Sequence, residues 1–300
     1  MTAYAVYGLL ETRAAGYKVP EDRIRTGLTA LARLYRKYPR AVPTLKAYMV
    51  YVLERAAASR LEPGYLDAGP FDRTAALEEV WSSRSELTPY GRALLLLALD
   101  ARKDPRAEGL ARELLGEARR TGDLAWWETP TDPLLDDWED TSVEATATAV
   151  RALVAHDPSN AVLEGAVRYL LATRQSGTYW VSTKQTAMVI YGLTAYMQAR
   201  GESGSPIAVD VSVNGTPLKS VSFAQQSLTA PDPVQITATG REGDNDIRVS
   251  TRGAGTVYWA ATARYFDTRT PIERTGDRKL AIARDYFMNP QPNARVAFSP

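Results

Sequence analysis

Residues 2–10 read TAYAVYGLL and residues 186–194 read TAMVIYGLT, with Thr, Ala, Tyr, Gly and Leu shared at five of nine places. Looser copies lie between them: KAYMVYVLE from Lys46, YGRALLLLA from Tyr90 and TATAVRALV from Thr146. The starts are 44, 44, 56 and 40 residues apart. A period of about 40–45 residues accommodates two helices and their connections, so the repeat predicts an array of helical hairpins.

The segments inside and between the copies differ in kind. The copies are rich in Ala, Leu and Tyr and apolar nearly all round, as helices buried on most sides are. The intervening segments are amphipathic. Over 21–38 the apolar positions are Ile24, Leu28, Leu31, Ala32 and Tyr35, with Arg23, Arg25, Arg33, Arg36 and Lys37 on the opposite face. Residues 106–120 and 160–174 repeat that style through Leu110, Leu114 and Leu115, then Leu163, Val167, Leu170 and Leu171. Pro39, Pro43, Pro63-Gly64, Asp104-Pro105 and Asp157-Pro158 punctuate the joins. The expectation is a mainly α chain: a partial α/α toroid of about nine helices over residues 1–200, buried helices inside and amphipathic ones outside. A closed toroid of six hairpins would need three more helices before Met1.

After Arg200 the pattern changes. Gly201 to Pro206 reads as a linker, and Ile207–Val213 alternates as a strand before the turn pair Asn214-Gly215 and a second strand through Val221 and Phe223. Further strands are expected at 233–239, 245–251 and 256–266, giving a small antiparallel β domain over 206–268. Residues 269–300 read as a linker and one strand-like stretch, Leu280–Phe287, that belongs to a further domain.

Composition narrows the chemistry. With 36 Lys and Arg against 35 Asp and Glu, the net charge is +1, which gives no electrostatic reason to expect nucleic acid or an anionic membrane. Cysteine is absent, so disulfides, thiolate metal sites and thiol nucleophiles are excluded from these residues. No apolar run is long enough to span a bilayer, and Met1-Thr2-Ala3-Tyr4 does not open a signal peptide.

Individual motifs were weighed for function. Asp136-Asp137-Trp138-Glu139-Asp140 fits the DDxxD pattern that binds Mg²⁺-diphosphate, because clustered carboxylates suit a hard divalent ion. The run lies in a proline-bounded loop, however, and Asp140-Thr141-Ser142 reads better as the N-cap of a helix from Val143, with Glu144 in its first turn. His156, the single histidine, sits at a helix C-terminus, where a cation favours the dipole. Trp126-Trp127 with Glu128, and Tyr179-Trp180, fit sugar stacking with carboxylate catalysis, but aromatics beside Gly and Pro loops more often seal a core. Asn214-Gly215-Thr216 is a glycosylation sequon explained by its turn. No catalytic, cofactor-binding or metal residue is assigned, and no Gly-x-Ser-x-Gly or phosphate loop occurs.

Several stretches, in order, resemble bacterial alpha-2-macroglobulin-like proteins. Thr2 to Leu9, continuing to Ala14-Ala15-Gly16-Tyr17, is similar to an inner helix of their thioester domain. Trp126-Trp127 followed by Asp140 to Ala147 resembles another part, and Arg174, Trp180, Ser182-Thr183-Lys184 and Gln185-Thr186-Ala187 the approach to its last inner helix. Residues 206–266, ending Tyr258-Trp259 and Arg264-Tyr265-Phe266, resemble the second part of a CUB-like sandwich. Leu280 to Phe287 resembles the first strand of a receptor-binding-type macroglobulin domain. The resemblance implies a fragment of a broad-spectrum peptidase trap, without enzymatic activity or cofactor. Its implied partners are attacking peptidases and neighbouring macroglobulin domains of the same chain, with no membrane contact by this segment. It also implies a periplasmic or cell-envelope location with a lipoprotein anchor at an absent N-terminus. The family's Cys-x-Glu-Gln thioester motif would lie upstream of the matched region; either it stands there or the parent lacks it. A helical-toroid enzyme (a glycosidase, or an isoprenoid cyclase using Asp136–Asp140) and a non-catalytic binding scaffold are the alternatives.

Overall fold

A computed structural model describes residues 1–64, 66, 69–129, 134, 141–175, 179–201, 206–223, 234–254, 257, 259, 261, 263–264, 287–291 and 294–297. The chain divides into two compact units, Met1–Ala260 and Ala261–Pro300. The first holds nine α-helices among the described residues: α1 (Thr2–Ala14), α2 (Glu21–Lys37), α3 (Pro43–Ala58), α4 (Arg73–Ser82), α5 (Pro89–Arg102), α6 (Ala107–Gly116), α7 (Ser142–His156), α8 (Val162–Ala172) and α9 (Thr183–Arg200). A short hairpin, β1 (Arg119–Thr121) with β2 (Leu124–Trp126), lies between α6 and α7. Strands β3 (Ile207–Val213), β4 (Thr216–Phe223) and β5 (Ile247–Gly253) follow α9.

Local chemistry sets the helix ends. Asp72, Thr88 and Ser182 accept from the backbone N–H groups of Ala75, Gly91 and Gln185, so each closes an otherwise unpaired first turn. Proline at the first position starts α3 and α5. Glu21 and Asp22 open α2 while Arg36 and Lys37 close it, both matching the helix dipole. Gly201, at φ 66°, ends α9 in the left-handed conformation that glycine adopts without strain.

Packing follows the two classes of segment. Each odd-numbered helix packs on the next odd one: α1 on α3, α3 on α5, α5 on α7 and α7 on α9. The even helices cover them from one side, α2 against α1 and α3, α6 against α5 and α7, α8 against α7 and α9. Burial is heaviest in the central odd helices, while α1 and α9 at the ends bury four residues each. In α5 every residue from Ala93 to Leu99 is buried, whereas α2 buries only Ile24, Leu28, Leu31, Ala32 and Tyr35. The mainly helical expectation therefore holds, with nine helices among the described residues.

Two tryptophans tie consecutive layers in the same way. The Trp127 indole N–H donates to the Leu114 carbonyl near the end of α6 (2.7 Å), and its backbone N–H donates to Thr146 Oγ1 of α7 (3.1 Å). The Trp180 indole donates to Leu170 near the end of α8 (2.9 Å), and its backbone N–H donates to Thr186 Oγ1 of α9 (3.1 Å). Thr146 and Thr186 are the first residues of their repeat copies, so the sequence repeat is also a repeat of hydrogen bonds. Both rings are buried, which agrees with the core-sealing reading over sugar stacking; Trp126 stacks on Tyr169 at 5.4 Å.

The three-stranded sheet is antiparallel in the order β4-β3-β5. Asn214 (φ 52°) and Gly215 (φ 80°) form the turn between β3 and β4, as the dipeptide requires. Asn245 accepts from the Arg241 N–H and donates to the Arg241 and Gly243 carbonyls, shaping the loop that leads into β5. The strand expected at 233–239 is not formed over its described residues, 234–239. β4 and β5 already occupy both edges of β3, and Val234 stays 40% exposed with no face to cover it. The described residues of 256–266 carry no strand, and the rest of that stretch lies outside the described residues. In the second unit, β6 (Phe287–Gln291) pairs antiparallel with β7 (Ala294–Ala297). Of the expected strand 280–287 only Phe287 is described, at the start of β6.

Candidate functional site: an arginine–tyrosine cluster among the odd helices

The repeat copies gain a common meaning once their side chains are followed. The α5 copy reads in register from Arg92 rather than Tyr90: Arg92-Ala93-Leu94-Leu95-Leu96-Leu97 then aligns with Lys46-Ala47-Tyr48-Met49-Val50-Tyr51. In that register the sixth places are Tyr7, Tyr51, Leu97, Arg151 and Tyr191, and the third places after α1 are Tyr48, Leu94, Thr148 and Met188. All nine line one small cavity, with room for roughly one water-sized group, joined by Tyr90 and Ala147. Third and sixth positions are three apart, so they share a helix face, and in every odd helix that face is turned to the same place.

Arg151 is the singular member, an arginine where other copies have an aromatic or aliphatic side chain. Its guanidinium carbon lies 5.0 Å from the Tyr7 ring centre and 5.5 Å from that of Tyr191. The Tyr7 ring meets Tyr191 at 5.5 Å, Tyr51 at 5.9 Å and Tyr48 at 6.4 Å. Each desolvated cation–π contact is worth about 2 kcal/mol. Glu11 of α1 receives Arg151 Nη2 at 2.8 Å and Arg55 Nε of α3 at 3.5 Å. Burial pushes Arg151 down to about 10, so it remains charged at neutral pH. Burial also raises the Glu11 carboxyl, an effect that Arg55 partly offsets. Burial holds the phenols of Tyr48 and Tyr51 far above their usual range, so they stay hydrogen-bond donors. Arg151 Nη1 is buried and has no hydrogen-bond partner.

The cluster offers positive charge, aromatic walls and hydroxyl donors, but no nucleophile paired with a base. Among the described residues, no three His, Cys, Asp or Glu side chains are grouped to hold a metal. What the cluster visibly supplies is charge, stacking and cross-links between helices.

The residues singled out from sequence lie elsewhere. Asp136–Asp140 falls outside the described residues. Thr141 does not cap α7: its hydroxyl donates back to the Thr129 carbonyl, and the helix begins at Ser142. Its backbone is already helical, at φ −72° and ψ −12°, which turns the side chain from the first-turn N–H groups. Glu144 is buried in that turn and ion-paired with Lys184 of α9 at 3.2 Å. His156 closes α7 as expected, but its partners are side chains. Nδ1 lies 3.0 Å from Asp100 of α5 and Nε2 lies 3.2 Å from Glu108 of α6, so one ring joins three helices. Burial opposes its charging, yet the bonds and fields of Asp100 and then Glu108 prevail and raise its pKa.

Two buried ion clusters were not foreseen. Glu54, in α3, binds Arg73 at 2.7 Å and Arg102 at 3.4 Å. Lys46 donates to Glu79 and to the Pro39 carbonyl, and lies over the Tyr35 ring at 5.3 Å. The available signal was a charge inside a helix otherwise apolar all round; Glu11, Glu54, Glu144 and Arg151 all fit it.

No family model matches the chain. Among the described residues no helix is long and apolar enough to cross a membrane.

Proposed function

We infer that this chain is a scaffold segment of a bacterial alpha-2-macroglobulin-like peptidase inhibitor. On this reading α1–α9 are the greater part of a thioester-type α/α toroid, the strands within 206–268 are the distal part of a CUB-like domain, and 269–300 lead into a receptor-binding-type macroglobulin domain. The segment carries no catalytic group. It holds a neighbouring reactive region and moves with it when a peptidase cuts the bait. The location is the periplasm or cell envelope, and the partners are attacking peptidases and adjoining macroglobulin domains.

The observation that supports the reading is order. The stretches similar to the thioester domain begin at Thr2, Trp126 and Arg174, and they fall on α1, the approach to α7 and the approach to α9, in the sequence the family has them. The latter two are also the stretches whose tryptophans carry the repeated hydrogen bonds.

The test uses the protein encoded by the full gene. Challenged with an endopeptidase, it should be cut at one exposed segment and change its mobility on a native gel. The captured peptidase should lose activity on protein substrates while keeping it on small peptides. Unchanged activity on both substrate classes, or a gene without macroglobulin domains before Met1, would reject the proposal.

A further inference from the structure

We propose that the cavity among the odd helices binds a small monovalent anion, halide in size, on Arg151. This holds whether or not the chain belongs to a peptidase trap.

The first ground is charge. From α1 the cavity's surroundings supply one carboxylate, Glu11; from α3 they supply Arg55, and from α7 Arg151. Two guanidinium groups thus share one carboxylate, leaving a formal charge of +1. The next charged pair, Glu144 of α7 and Lys184 of α9, neutralises itself at 3.2 Å. The groups that α5 turns to the cavity, Tyr90, Leu94 and Leu97, bring no charge. Arg151 and the partly exposed Arg55 divide the single Glu11 carboxylate, so an anion beside Arg151 would supply the second counter-charge.

The second ground is geometry. Tyr7 and Tyr191 cover the guanidinium, which leaves its edge for hydrogen bonds. On that edge Nη2 ion-pairs with Glu11 Oε1, itself without a hydrogen bond, while Nη1 is buried and has no hydrogen-bond partner. The orphaned donor belongs to a side chain that lines the cavity, and the free space there admits roughly one water-sized group. That size excludes phosphate, sulfate and metabolite carboxylates. The walls of Leu94, Leu97 and Met188 offer no compensation for lost hydration, so chloride and bromide should bind in preference to the more strongly hydrated fluoride.

Two measurements test this on the intact chain. Crystals grown without halide and soaked in bromide at physiological salt should show an anomalous-scattering peak within hydrogen-bond reach of Arg151 Nη1. In solution, replacing gluconate by chloride at constant ionic strength should raise the unfolding midpoint by about 4 °C or more. Arg151→Gln should lose that difference while keeping the response to general salt. A soaked crystal with only water beside Nη1, or equal midpoints in chloride and gluconate, would overturn the proposal. The bromide experiment needs no variant, so it decides the matter even if Arg151→Gln fails to fold.

Discussion

Gly8 and Gly192 occupy the same place in two copies of the repeat, yet alanine should act on them with opposite sign. At Gly192 a methyl group would lie 2.7 Å from the Ala147 carbonyl oxygen, with the Ala147 carbonyl carbon and Cα at 3.4 and 3.5 Å. Those atoms are backbone of α7, in the middle of a buried helix, and cannot swing aside as a side chain could. Helix α9 would have to retreat by several tenths of an ångström along its main packing contact. Overpacking of this kind costs about 1–3 kcal/mol, and alanine's better helix propensity returns about 1 kcal/mol. An approach of 2.7 Å to rigid backbone places the cost in the upper part of that range, so the net expectation for Gly192→Ala is a loss of about 1–2 kcal/mol. At Gly8 the same methyl group meets nothing within 4 Å, so only the propensity remains, and Gly8→Ala should stabilise by about 0.5–1 kcal/mol. Near the midpoint each kcal/mol corresponds to about 2–4 °C for a domain of this size. Thermal unfolding followed by far-ultraviolet circular dichroism should therefore move down for Gly192→Ala and up for Gly8→Ala. Shifts of the same sign, or a neutral Gly192→Ala, would refute the close approach of α9 to α7.

Other substitutions probe the remaining contacts. Because the folded pKa of His156 is raised, its clamp should contribute fully below the unfolded value of about 6.5 and fade as pH rises through the folded one. Urea midpoints measured across that window should fall for the native chain and stay flatter for His156→Gln. Trp127→Phe removes one of two donors to the Leu114 carbonyl, which keeps the Glu117 N–H, a loss of about 1 kcal/mol in urea unfolding. Trp180→Phe should lose a comparable amount through the Leu170 carbonyl. Glu54→Gln removes the charge that Arg73 and Arg102 share, but Arg73 keeps Glu62 and Arg102 keeps Thr74, so it should cost about 1–2 kcal/mol, and more than Glu21→Gln at an exposed pair.

The architecture was more legible in the sequence than the site. Apolar copies starting at Thr2, Lys46, Thr146 and Thr186 mark four odd helices, although only those at Lys46 and Thr146 are buried along most of their length. The copy in α5 was read two residues early, since a run of leucines fits several registers equally well. The β1–β2 hairpin escaped notice because strands of three residues are too short to show alternation. The expected strand at 233–239 alternated correctly, but alternation states which face wants burial, not whether anything is there to bury it. The same limit hid the Arg151 cluster. Sequence could show Arg151 at the sixth place of its copy, but that sixth places from separate helices converge is a fact about the array. Asp136–Asp140 and His156 drew attention as conspicuous residue types, whereas the buried charges stood inside helices read only for their apolar character.

The contact between Tyr7 and Tyr191 has a kinetic meaning. A linear stack of hairpins unzips from its ends, because each terminal unit has a neighbour on one side alone. Here the first and last helices touch each other, and Arg151 of α7 lies over both rings while Glu11 of α1 anchors its charge. Detaching α1 would therefore remove the Tyr7 ring and the Glu11 charge from the cluster that Tyr191 of α9 shares. Amide hydrogen exchange should find these two helices, the most distant in sequence, opening together in a single event.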